Sequence, residues 1–410
     1  MRPIERITLL CALAALASAC DSDKRLVGPG ASIAASGEVA LAQGEGYAVT
    51  DLGTLGGAHS TACGNNDRGQ VTGAAATATG QLHTFLWQEG VMTDLGTLPG
   101  KLFSEGRALN NRGEIAGDAS NTGGPPFSAA MWDSQGDIVA LPTLPGGPAA
   151  FAININNRSE VVGASRNLVR DLHAVIWTDG TVTDLGTLLP ADHQSIARSI
   201  NNLGQVVGNS SPAFGDPPPP PVRPFFWQDG QFTDMGSLGG TWGAAYSINE
   251  QGEAVGGSFI ASGEMHAFLW KDGVISDLGA LSSTPTSRLS DLSVSCTLGT
   301  DLGASFGTFS LATSINNSGR VVGRSRDAVG NDRAVLWFHG TITDLNDEIP
   351  SGSGWTLVEA SSINSSGQIV GFGRIGGQND AFLLTPNVAE HAKVKRHVRG
   401  GGKRHGRRGA

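Results

Sequence analysis

The sequence predicts an all-β protein, a seven-bladed β-propeller of ~45-residue four-stranded repeats, closed by pairing of its N-terminal strand with the C-terminal blade. Three observations predict it. The chain holds 59 Gly and 19 Pro in 410 residues and only 16% charged residues, which excludes long helices and a charge-rich disordered chain alike. One unit recurs seven times along it. Its two ends are also out of phase with that unit.

Each unit reads as four strands, a to d. Strand a leads into Asn-x-x-Gly, a turn signal with Asn first and Gly last, at Asn66, Asn110, Asn201, Asn249, Asn316 and Asn364, and into the same turn with Ser159 in place of the Gly at Asn156. Successive Asn positions lie 44, 46, 45, 48, 67 and 48 residues apart, so one interval carries about 20 extra. The residue four before the Asn is always Ala or Gly, which suits a crowded axis where inner strands converge. Strand b is a Val-Val-Gly type run such as Val206-Val207-Gly208, whose consecutive apolar residues imply cover on both faces. Strand c is aromatic-rich and ends in Trp at 87, 132, 177, 227, 270 and 337, with Leu384 in the last copy. Asp-Gly hairpin signals (Asp179-Gly180, Asp229-Gly230, Asp272-Gly273) link it to strand d, a Thr-Asp-Leu-Gly run.

The phase of the repeat argues for closure. The chain opens with a lone strand d, Tyr47 to Gly53, and ends with a, b and c of the last unit. Pairing those ends would remove two open sheet edges.

The flanks give an address. Residues 1–20 carry Arg2 and Arg6 before an uncharged run from Ile7 to Ala19, too short to span a bilayer, and so read as a signal peptide. Ala17-Ser18-Ala19 fits ordinary cleavage, while Leu16 to Cys20 resembles a lipobox, which would make Cys20 a lipid anchor. Export is therefore expected, to the cell envelope or the extracellular space. Residues 21–46 read as a flexible tether, 47–386 as the propeller and 387–410 as a disordered basic tail of net charge about +7, against about −17 for residues 26–386. The tail would attract polyanions. Cys63 and Cys296 are the remaining body cysteines, able to pair or to stay as buried thiols.

The repeated residues also resemble the extracellular HAF-repeat proteins, named for a His-Ala-Phe run before the Trp. That run is intact at His266-Ala267-Phe268 and varied at His173-Ala174-Val175 and His83-Thr84-Phe85. Other copies replace the His with Ser128, Pro224, Arg333 or Asp380. The resemblance implies an exported repeat protein and brings no catalytic residue.

No P-loop, GxSxG, HExxH or paired CxxC occurs, so no catalytic residue, metal ligand or cofactor is expected. The strand-d Asp (51, 94, 184, 234, 277 and 344) reads as a turn cap. Candidate ligand contacts come from positions where the repeat breaks. The third residue before the Asn varies most (Cys63, Arg107, Ile153, Arg198, Tyr246, Thr313, Ser361), and Arg107, Arg198 and Tyr246 could grip an anion. Trp242 and Trp355, off the pattern, lie in or near d–a links. The b–c and d–a links share one face and hold the irregularities, Pro217 to Pro221 and residues 280–300, so that face is expected to hold any ligand site. The functional expectation is a monomeric binding scaffold for an unknown protein or glycan partner. The alternative is a propeller hydrolase or lyase acting on polysaccharide or peptide.

Overall fold

Consecutive valines cannot both face a core unless the strand is sandwiched, and in the repeat they are. In a computed structural model describing residues 46–212, 221–283 and 308–387, Val206 and Val207 are both fully buried, as are Val161 and Val162. The described strands form an all-β propeller of antiparallel four-stranded sheets. Five sheets stand separately, and a further eight-stranded sheet consists of two such runs joined by one parallel bridge between Leu172 and Gln194. In the sheet starting at Gly56, strands Gly56–Asn65, Val71–Thr77, Leu82–Gln88 and Val91–Asp94 follow in order a to d. The N-terminal strand Tyr47–Asp51 pairs antiparallel with Gln378–Pro386, in the register Val49 to Leu384 and Asp51 to Phe382.

The core lies between neighbouring sheets. Trp132 and Trp177 are almost wholly enclosed, with indole N–H groups donating to the carbonyls of Leu95 and Pro142 in the preceding repeat. Leu384, in the Trp position of the last copy, is fully buried too. The c–d links take the expected hairpin form: Asp179, Asp229 and Asp272 have φ near +50°, each followed by a Gly at +73° to +81°.

The small residue four before the Asn corrects one expectation. It does not relieve crowding at the axis. A Cβ on Gly106 would meet Thr84 at 2.8 Å, on the preceding sheet, and Ile115 at 3.1 Å. The smallness is set by sheet-on-sheet packing. Met1 to Glu45, with the signal, Cys20 and the tether, lies outside the described residues, as do 213–220, 284–307 with Cys296, and the tail from Val388 onward.

Candidate functional site

A β-bulge builds the site. Every repeat shares a slip in the register between strands a and b at the same position, for instance between Ala62 and Gly64, Gly106 and Ala108, or Ala197 and Ser199. The skipped residue is the third before the Asn. Bulges bend a strand and re-aim the extra side chain, and here all seven of these side chains line one cavity of about 180 Å³. The strand-b glycine makes the bulge fit. A Cβ on Gly73 would fall on the carbonyl oxygen of Thr61, and Gly163, Gly208 and Gly323 meet the same obstacle.

Three residues further on, the Asn of each turn does a different job. Its Oδ1 accepts from the backbone N–H groups two and four residues ahead, as Asn66 does from Arg68 and Gln70. Its Nδ2 donates to the main-chain carbonyl of the next repeat's Asn. The bonds run from Asn66 to Asn110, Asn156, Asn201, Asn249, Asn316 and Asn364 at 2.9–3.3 Å, and Asn364 donates to the Asn66 carbonyl at 2.9 Å. A second cavity of about 210 Å³ is lined by six of these asparagines, all but Asn201, and by residues beside them such as Ile200 and Asn202.

The inner wall is charged and enclosed. Arg107, 6% exposed, donates through Nε to Asp118 at 2.7 Å and through Nη2 to Glu105 at 3.0 Å. Burial pushes the carboxyls of Glu105 and Asp118 up against the pull of Arg107. The two acids, in turn, outweigh burial and hold the Arg107 guanidinium above its ordinary value. Arg198 donates to Asn209 Oδ1 at 2.7 Å and stacks over the Tyr246 ring at 4.7 Å. Burial pulls its pKa down, and burial pushes that of the Tyr246 phenol up. Glu359, fully enclosed and on the cavity lining, pairs its Oε2 with Nη1 of Arg324, 2% exposed, at 3.5 Å.

Of the residues singled out in the sequence, Arg107, Arg198 and Tyr246 thus meet on one cavity wall. Trp242 and Trp355 line neither cavity: Trp242 packs against Phe259 at 5.9 Å and Trp355 edge-on against Phe382 at 6.1 Å. Glu105, Asp118, Glu359 and Arg324 were missed. They sit on strands a and b at positions with no signal except a charge inside a strand run. The proline stretch and the long d–a insertion fall mainly outside the described residues, so the described cavities follow the inner strands and the Asn turns instead.

The strand-d Asp caps its turn as expected. Asp51, Asp94, Asp184, Asp234 and Asp277 accept from the glycine N–H two residues on, and Asp344 from Asn346. It also pairs with the His position of strand c: His83 with Asp94, His173 with Asp184 and His266 with Asp277 at 2.7–3.0 Å, and Arg333 with Asp344 at 2.7 Å. Among the described residues no three His, Cys, Asp or Glu side chains gather as a metal would need. Cys63 is disulfide-bonded.

No protein-family model matches the chain, and no curated protein matches it. It is similar to solved structures. An oligogalacturonate lyase in complex with manganese aligns at 12% identity and a TM-score of 0.50, over 83% of this chain and 93% of that one. TolB from Acinetobacter baumannii aligns at 11% and 0.37 over 75% and 76%, and AofleA from Arthrobotrys oligospora at 10% and 0.36 over 73% and 89%. At such identity the first likeness concerns the fold alone.

Proposed function

We propose that this chain is an exported, seven-bladed propeller of the HAF-repeat kind, closed by its N-terminal strand, that binds protein or glycan in the cell envelope. Closure is supported by the pairing of Tyr47–Asp51 with the last sheet and by the seven asparagine bonds that return to Asn66. Export and anchoring through Cys20 rest on the signal-like residues 1–20. The basic tail adds a contact for polyanions such as anionic headgroups.

One observation carries the binding role. Seven equivalent bulged positions hold six residue types, Arg alone occurring twice, and all face one cavity, with Arg107, Arg198 and Tyr246 among them. Ring positions that only support the fold repeat; these do not. The test is retention of envelope proteins and glycans on the immobilised full chain. Binding should weaken in Arg198→Ala and persist in Trp242→Phe. Equal retention by Arg198→Ala, or none by the parent chain, overturns the reading.

A hydrolase or lyase activity is the second reading, favoured by the perturbed carboxyls of Glu105 and Asp118 against Arg107 beside the cavity. It requires turnover of a polysaccharide or peptide that disappears in Glu105→Gln while the fold persists.

A further inference from the structure

We propose that the second cavity, at the asparagine turns, takes a single neutral sugar residue, with its C–H face on an aliphatic floor and its hydroxyls on the side chains of Asp67, Asn157, Glu250 and Asn317. The site is separate from the bulge-lined cavity and does not rest on the reading above.

The residue after each turn asparagine builds the rim. Its side-chain oxygen accepts from the main-chain N–H of its counterpart one repeat earlier: Asn111 from Asp67, Asn157 from Asn111, Asn202 from Asn157, Glu250 from Asn202 and Asn317 from Glu250, at 2.8–3.3 Å. Asp67 accepts in the same way from Ser365. Only the oxygen of a carboxamide can meet an N–H, so each amide is turned one way and its NH2 group is left over. Asn111 and Asn202 donate theirs to the carboxylates of Asp67 and Glu250, at 2.8 and 2.7 Å. Asn157 and Asn317 donate theirs to no group among the described residues, and both are exposed on the cavity lining. The residue before each asparagine builds the floor. Leu109, Ile155, Ile200, Ile248, Ile315 and Ile363 line the same cavity, and each keeps 4–8% exposure.

This lining selects the ligand. Taken round the ring, Asp67, Asn157, Glu250 and Asn317 alternate acceptor and donor, and sugar hydroxyls both donate and accept. Burial raises the pKa of Asp67, but bonds from Ser365 and Asn111 outweigh it and hold the carboxyl below its ordinary value, so it stays an acceptor. Two carboxylates on the rim disfavour an anion. The amide oxygens are spent on main-chain N–H groups, which leaves a metal ion too few ligands. The aliphatic floor takes the C–H face of a sugar ring out of water. A volume of about 210 Å³, below the ~300–1,000 Å³ of drug-sized sites, holds one sugar ring rather than a chain.

Saturation-transfer NMR of the full chain with the methyl glycosides of D-glucose, D-galactose and D-mannose tests this, with the matching uronates as charged analogues. At least one glycoside should bind, with transfer strongest to the ring protons of one face, and its uronate should bind several-fold more weakly. Asn157→Asp combined with Asn317→Asp keeps the oxygens that close the rim and removes both spare NH2 groups. It should weaken binding about tenfold or more, with an unchanged circular dichroism spectrum. Asn317→Ser, which copies the residue that the last repeat carries at Ser365, should weaken binding several-fold. Oligomers of the bound sugar separate a glycan end, which binds like the glycoside, from a free sugar, whose oligomer does not bind. No transfer from any of the three glycosides, a uronate bound as tightly as its neutral parent, or parent-like binding by either variant would each overturn the proposal. Envelope retention is scored separately and turns on Arg198, so a failure here leaves that reading standing.

Discussion

Two rings of residues lie three positions apart on the same inner strands and obey opposite rules. The turn asparagines are identical in all seven repeats, and each makes the same bond to the next repeat. The bulged residues are almost all different, yet every one lines the same cavity. The first ring must repeat because a carboxamide is the side chain here that both accepts from its own turn and donates to its neighbour. The second is relieved of that duty by the bulge, which takes its residue out of the strand pairing. Identity at one position records structure, and diversity at the other leaves room for chemistry.

Substitutions can break or sharpen that contrast, beginning with the largest effect. Trp177→Ala, between the sheets, should cost about 3–5 kcal/mol in denaturant unfolding, as core aromatic truncations do. An unmoved midpoint would mean that strand c does not fill the core. Asn156→Ala should come next, at about 2–3 kcal/mol, because it strips partners from the Arg158 and Glu160 N–H groups and from the Asn201 carbonyl. Ile153→Val, at the bulge of the same strand, should cost no more than about 1 kcal/mol. If the two losses are equal, the division between the rings is wrong.

The His–Asp pairs extend the comparison to the outer edge. In the last sheet the His position is Asp380, which faces no imidazole; burial and the charge of Asp51 raise its pKa to about 6. A carboxyl raised above its unfolded value favours folding while protonated. Its contribution is complete below about pH 4 and is lost as pH rises through about 6. Asp380→His should therefore raise the melting temperature at about pH 8 and remove that loss. A variant that melts lower at pH 8 would refute the like-charge contact. Smallest of all, His266→Ala should change stability by less than about 1 kcal/mol, since its partner Asp277 is substantially exposed.

Much of this was legible in the sequence. The recurring Asn-x-x-Gly turn, the Val-Val-Gly type run and the strand-c Trp placed the strands and turns, and variability alone picked out the cavity-lining position. The bulge was not legible, although the glycine inside Val-Val-Gly was its trace: a glycine in a strand marks close backbone approach. The small residue at strand a was misassigned to the axis because smallness does not say which neighbour is close. Trp242 and Trp355 stood out by breaking the pattern, yet aromatic rings near sheet ends fill gaps between sheets as readily as they meet ligands.

Amide hydrogen exchange of the full chain tests the closed ring most directly. Residues Tyr47–Asp51 should exchange as slowly as Phe382–Thr385, in the strand segment they face. Exchange at the rate of a free peptide over 47–51, with 382–385 still protected, would mean that the first strand does not complete the last sheet.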